Sequence, residues 1–293
     1  MRFRRALSHA AAQSQRVQPG AVSPVRKVPN FIEKPPYASN MQTSSWNSSI
    51  PILDATQQMG LRTACQLAKE MCEFAAKQVH IGQTTDEIDR LVHDEIIRHR
   101  AYPSPLNYGG YPKSICTSVN EVVVHGIPDS RPLADGDIVN IDVSVYIRGF
   151  HGDTSRMVEV GSVEEGSKQL IRVTNEALMA SIERCAPYSY FSVIGDVVED
   201  MCEENGFSVI EEYAGHGIGE EFHCYPYVLH NRNHEDTRML PGMAFTIEPP
   251  ICIGKPDLVY WDDAWTVATA DGSRAAQAEH TILVTDNGIE ILT

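Results

Sequence analysis

No stretch of 18 consecutive apolar residues occurs in the 293-residue chain, so a membrane-spanning helix is not expected. No Cys-x-x-Cys pair occurs either. The seven cysteines, Cys65, Cys72, Cys116, Cys185, Cys202, Cys224 and Cys252, are odd in number and scattered, which excludes a zinc ribbon or a dithiol redox motif. They read as reduced, mostly buried thiols that act as small hydrophobes. Positive charge is scarce overall, with 24 Lys+Arg against 39 Asp+Glu. Six of the basic residues (Arg2, Arg4, Arg5, Arg16, Arg26 and Lys27) fall in residues 1–32, where acid is missing altogether. The remainder is therefore strongly acidic and repels phosphate backbones. Nucleic acid is not an expected partner, whereas cationic ligands such as a free amino terminus are mildly favoured.

The first 32 residues also lack the apolar stretch of about 7–15 residues that a secretory signal requires. Their Arg, Ala, Ser and Gln content is that of a mitochondrial or plastid transit peptide. The alternative is a disordered basic tail on a cytoplasmic protein. Pro35, Pro36 and Pro51, with Ser and Asn, make residues 33–53 an extended linker or a strap lying on the domain. The catalytic unit is expected over residues 54–293.

Within that unit, Leu61, Ala64, Leu67, Ala68, Met71, Phe74, Ala75 and Val79 recur at the spacing of an amphipathic helix. Thr84 and Glu87 form a capping-box pattern ahead of a second helix lined by Ile88, Leu91, Val92 and Ile96. From Val139 to Tyr146 the period becomes two, which predicts a half-buried strand, and the Arg148-Gly149 turn folds the chain back. The same order then recurs: helices over 167–185 and 192–204, and strands over 208–213, 244–252 and 280–285. Asn287-Gly288 predicts a type I′ hairpin. Two helix-helix-strand units imply an α+β fold with an antiparallel sheet covered by helices on one side. A site is expected at their junction.

Asp142 and Asp153 flank the predicted turn. A loop centred between Ile147 and Arg148 would place them opposite one another, where two like charges require neutralisation. Two solvated aspartates on an exposed face fit that pair as well. Three further residues favour a metal pair: His216 between two glycines, Glu248 in the strand AFTIEPP and Glu279 before HTILVT, acids that would be hard to desolvate unpaired. Oxygen-rich ligands with one imidazole suit Mn, Fe, Co or Zn, with a leaning toward Mn or Fe.

With the segments YPSPLNYGGYPKSICTSVNEVVVHGIPDSRPL, GDIVNIDVSVY, GFHGDTS, GHGIGEEFH, PGMAFTIEPP and QAEHTILVTDNG, the chain resembles the type I methionine aminopeptidases, and most of all their organellar branch. The resemblance implies the pita-bread fold and two divalent metal ions. Asp153 and Glu279 would bridge both, Asp142 would hold one, and His216 with Glu248 the other. It implies that Glu248 shuttles a proton and that His125 and His223 contact the substrate. His125 alone would read as a loop histidine. The resemblance also makes Tyr108, Tyr111, Cys116, Phe222 and Trp265 the methionine side-chain pocket. Residues alone would place these in the core. Cys224-Tyr225, Ala264 and Ala278 depart from the family pattern.

The implied reaction is release of the initiator methionine from nascent chains with a small second residue, by a monomer without membrane contact. Other pita-bread metallopeptidases (an Xaa-Pro aminopeptidase or dipeptidase), a non-catalytic binding protein on this fold and an RNA-binding protein are the competing readings.

Overall fold

Asp54 starts the first helix because its side chain can stand in for the missing turn. It accepts from the backbone N–H groups of Thr56 and Gln57 at 2.8 and 2.9 Å, and Gln57 reaches back to the Asp54 N–H. Helix α1 (Ala55–Lys77) follows, then α2 (Thr85–Arg98), which the Thr84 hydroxyl caps through the Glu87 N–H. Strands β1 (Tyr102–Pro103), β2 (Cys116–Val119), β3 (Val122–Val124), β4 (Ile138–Ile147) and β5 (Phe150–Glu159) complete the first unit. The second unit opens with α3 (Glu165–Arg184) and α4 (Ser192–Asn205). Ten strands end it: β6 (Ser208–Val209), β7 (Gly215–Gly217), β8 (Cys224–Val228), β9 (Ala244–Ile247), β10 (Pro250–Cys252), β11 (Leu258–Tyr260), β12 (Val267–Thr269), β13 (Ala275–Gln277), β14 (Glu279–Thr285) and β15 (Gly288–Ile291). The computed structural model describes residues 16–43 and 49–293.

The central sheet is antiparallel, with strand order β1-β4-β5-β14-β9-β7-β8, and β2 and β15 pair with β4 and β14. Period two on β4 decides which side faces what. Val139, Ile141, Val143 and Val145 pack with Leu67, Ala68, Met71, Ile88 and Val92 of the first helix pair. Asn140, Asp142 and Ser144 consequently share the other face. In the second unit, Leu178, Ile182 and Ile194 of α3 and α4 pack on Phe245, Ile247, Ile282 and Val284. All seven cysteines are buried and free. No helix among the described residues is long and apolar enough to cross a membrane.

Four local expectations are corrected. The β4–β5 turn consists of Arg148 and Gly149, both left-handed (φ 54° and 84°), so Asp142 pairs with Ser155 and Asp153 with Ser144. The aspartates are diagonal neighbours; the two-residue shift in register leaves both on one face because the side-chain period is two. Second, Glu248 stands outside a continuous strand. Pro249 and Pro250 follow it, and β9 of the large sheet gives way there to β10 of a small sheet with β6 and β13. Third, the expected 208–213 strand stops at Val209, and the chain turns at Glu211 and Glu212, both exposed. Fourth, Thr285 pairs with Gly288, so the last hairpin turns through Asp286 and Asn287. Neither has positive φ, and the turn is not type I′.

The N-terminal expectations fall partly on residues 1–15 and 44–48, outside the described residues. Residues 16–43 run along the body formed by residues 54–293. The Val17 N–H donates to Glu121, Arg26 pairs with Asp89 at 2.8 Å, and Ile32 and Tyr37 are buried with Tyr102, Leu106, Tyr146 and Phe222.

Candidate active site

All twelve residues singled out in the sequence line one cavity of about 350 Å³: Tyr108, Tyr111, Cys116, His125, Asp142, Asp153, His216, Phe222, His223, Glu248, Trp265 and Glu279. Its floor is the polar face of the sheet. β4 brings Asp142, β5 brings Asp153, β7 brings His216 and β14 brings Glu279, while the β9–β10 break turns Glu248 in beside them.

Asp153, His216 and Glu279 can each present a ligand atom such that all three lie within 4.8 Å of one another. The His216 Nε2 is 3.7 Å from Asp153 Oδ2 and 3.6 Å from Glu248 Oε1. The His216 Nδ1–H donates to the Gly217 carbonyl at 3.1 Å, so the Nε2 lone pair faces the acids. Among the described residues, no Lys or Arg pairs with any of the four acids. Burial pushes the Asp153 carboxyl up to about 7 and the Glu248 carboxyl up to about 8. Burial, then the charge of Asp153, holds Asp142 and Glu279 well above the usual carboxylate range. Asp142 Oδ1 is buried without a hydrogen-bond partner. Four converging acids, one open imidazole and one orphaned carboxylate oxygen fit a divalent cation, which would ionise the acids and occupy the orphan.

Polar residues two positions from one acid of the cluster steady its members: Ser144 stands two residues from Asp142 on β4, Thr246 two from Glu248 and Gln277 two from Glu279. The Ser144 hydroxyl donates to Asp153 Oδ1 at 2.7 Å, and Thr246 donates to Glu248 Oε1 at 2.7 Å. Gln277 donates to Glu248 Oε2 at 3.2 Å. The period-two pattern carried that signal, although the sequence reading did not use it. His230, which accepts the Glu248 N–H at 3.0 Å, comes from another part of the chain and had no such signal.

The remaining wall is aromatic. Tyr111 and Trp265 meet edge to face at 5.2 Å, Tyr108 and Phe222 at 5.0 Å, and Tyr108 lies 4.8 Å from His223. Burial lowers His125 and His216 to about 4 and holds His223 well below the usual imidazole range, so the three imidazoles are neutral near pH 7. His125 adopts a left-handed backbone (φ 58°), strain of the kind that gathers at functional positions. Glu212, Tyr213 and Tyr227 also line the cavity and were not anticipated.

The pattern of metallopeptidase family M24 matches residues 59–286. The mitochondrial methionine aminopeptidase 1D of Mus musculus is 50% identical over 277 residues, which is 94% of this chain and 83% of that protein. The chloroplastic/mitochondrial methionine aminopeptidase 1D of Arabidopsis thaliana is 49% identical over 95% of this chain and 80% of its own length. A crystal structure of methionine aminopeptidase from Rickettsia prowazekii superposes with a TM-score of 0.82 at 45% identity, covering 84% of this chain and 100% of that one. Prolidase from Pyrococcus furiosus shares the fold, with a TM-score of 0.67 at 20% identity. On the match to the pattern, the identity and the superposition, the chain belongs to metallopeptidase family M24 and, within it, to the methionine aminopeptidases.

Proposed function

We propose that the chain removes the initiator methionine from polypeptides whose second residue is small, using two divalent metal ions. The observation that carries this reading is the pairing of a four-acid, one-histidine cluster with an aromatic and thiol-lined pocket in one cavity. Asp153 and Glu279 would bridge the ions, Asp142 would hold one, and His216 with Glu248 the other; Mn, Fe, Co and Zn all suit this donor set. When bound, the metals supply Lewis acidity that polarises a carbonyl and acidifies a water.

The chain's own residues do the rest. Glu248 is held at one carboxylate oxygen by Thr246 and at the other by Gln277, and it takes the proton of the attacking water and returns it to the departing amine. His125 and His223 are neutral, and each can donate a hydrogen bond to charge that develops at the scissile carbonyl. Tyr108, Tyr111, Cys116, Phe222 and Trp265 take the methionine side chain, whose polarisable thioether suits aromatic edges.

The relatives' names and the acid-free basic start support an organelle as the site of action, a mitochondrion or a plastid. Free N-termini of new chains are the proposed partners and the monomer is the proposed working form, with residues 54–293 as the catalytic unit. Metal-dependent release of methionine from Met-Ala-Ser but not Met-Leu-Ser is the expected result. Preference for an Xaa-Pro peptide would replace this reading with that of another M24 peptidase.

A further inference from the structure

The N-terminal strap ends against the pocket wall. Tyr37 is 7% exposed and sits on the short helical turn of residues 36–38, and its hydroxyl donates to the Ser104 carbonyl at 2.6 Å. Its ring meets the edge of Tyr108 at 4.9 Å and stacks on His151 at 6.0 Å. His151 in turn stacks on Phe222 at 5.0 Å with the planes 11° apart. Of the pocket rings on this side, Tyr108 is therefore backed directly, and Phe222 through His151, by a residue from outside the 54–293 unit. Upstream, the strap is tied down by charge. The Arg26 guanidinium reaches Asp89, whose side chain is 0% exposed, and Ser23 donates to Asp86 at 2.6 Å, where Lys113 also pairs. Removing Arg26 would strip the buried Asp89 of its direct ion pair and leave only the Ser114 and Ile115 N–H groups bonded to the carboxylate, a costly loss at a buried charge.

We propose that the strap is a built-in wall of the substrate pocket, that Tyr37 is a positioning residue that sets specificity by holding Tyr108 and Phe222, and that any targeting cleavage spares the chain from Ser23 onward. The transit boundary then lies well before residue 32. The inference rests on the pocket assignment above.

The test uses the full-length, metal-loaded chain carrying Tyr37→Leu, with Tyr37→Met as the ringless alternative should the branched side chain fail to fold. Loss of one aromatic edge contact should raise KM for Met-Ala-Ser roughly three- to tenfold and lower the Met-over-Leu ratio in kcat/KM. Metal content should be unchanged, and Tyr37→Phe, which keeps the ring, should restore the ratio. If a variant changes only thermal stability or kcat, and the Met-over-Leu ratio stays at the wild-type value, the proposal is overturned. A wild-type chain that releases no methionine would sink the functional reading itself, a separate outcome. The mass of the chain isolated from its organelle should place its N-terminus at or before Ser23; a start beyond Ser23 overturns the retained strap.

Discussion

Two histidines in the same cavity are expected to behave differently because their ring nitrogens face different groups. His216 Nε2 points at Asp153 and Glu248, so His216→Ala should lower both bound metal and activity. His125 neighbours Trp265 and Tyr213 and touches none of the acids at hydrogen-bond range, so His125→Ala should keep its metal and lose about 10²–10³ in kcat, the loss typical of one oxyanion donor. Metal analysis beside steady-state kinetics separates the two, and metal loss in the His125 variant would reassign it. Ala264, one of the departures from the family pattern, has φ 66°. A Cβ in that region costs about 1–2 kcal/mol, part of which glycine's extra unfolded-state freedom offsets. Ala264→Gly should therefore stabilise the protein by up to about 1 kcal/mol in denaturant melts while leaving the neighbouring Trp265 in place. A loss of stability would show that the strain is relieved elsewhere.

At the scale of elements, the site depends on how closely α1 lies against β5. A Cβ on Gly152 would come within 2.3 Å of the Ala64 carbonyl carbon and 2.4 Å of the Cys65 nitrogen, backbone atoms that cannot rotate away. Gly152→Ala should push the helix off the strand beside Asp153, cost about 3 kcal/mol in an unfolding titration and weaken metal binding as the carboxylate shifts. A variant as stable as wild type would mean that the helix can slide without disturbing the site. Elements also mark where sequence patterning reads well. The helices were legible to within about two residues because the period agrees with the Asp54 and Thr84 caps of the first pair and with Gly206 (φ 72°), which ends α4. The short strands of the second half were not. Their pairing is long-range, and a strand such as β7, three residues long, carries too little pattern to show its own ends.

For the whole molecule, the buried charges make stability depend on pH and metal together. The raised folded pKa values of Asp153 and Glu248 mean that metal-free protein holds these protons while the unfolded chain has lost them. The resulting stability is complete at acid pH and falls as pH rises through about 7 to 8. The lowered histidines act oppositely, but only below about 6.5, where the unfolded chain takes up protons that the folded chain refuses. Between pH 6.5 and 8, therefore, the melting temperature of chelator-treated protein should drop, and the gap to metal-loaded protein should widen. A constant gap would contradict the placement of the acids. Several features followed from the sequence alone: the helix pairs, the β4–β5 hairpin, the candidate ligands and the family, all of which rest on local periodicity or contiguous motifs. Tertiary structure decided the rest, because it depends on atoms distant in the chain. It set the diagonal register of Asp142 and Asp153, the turn of Glu248 out of its strand, the support of Glu248 by His230, and the return of Tyr37 to the same cluster as Phe222, more than a hundred residues further along the chain. No local pattern can encode these, since burial and pairing exist only once the separate segments meet.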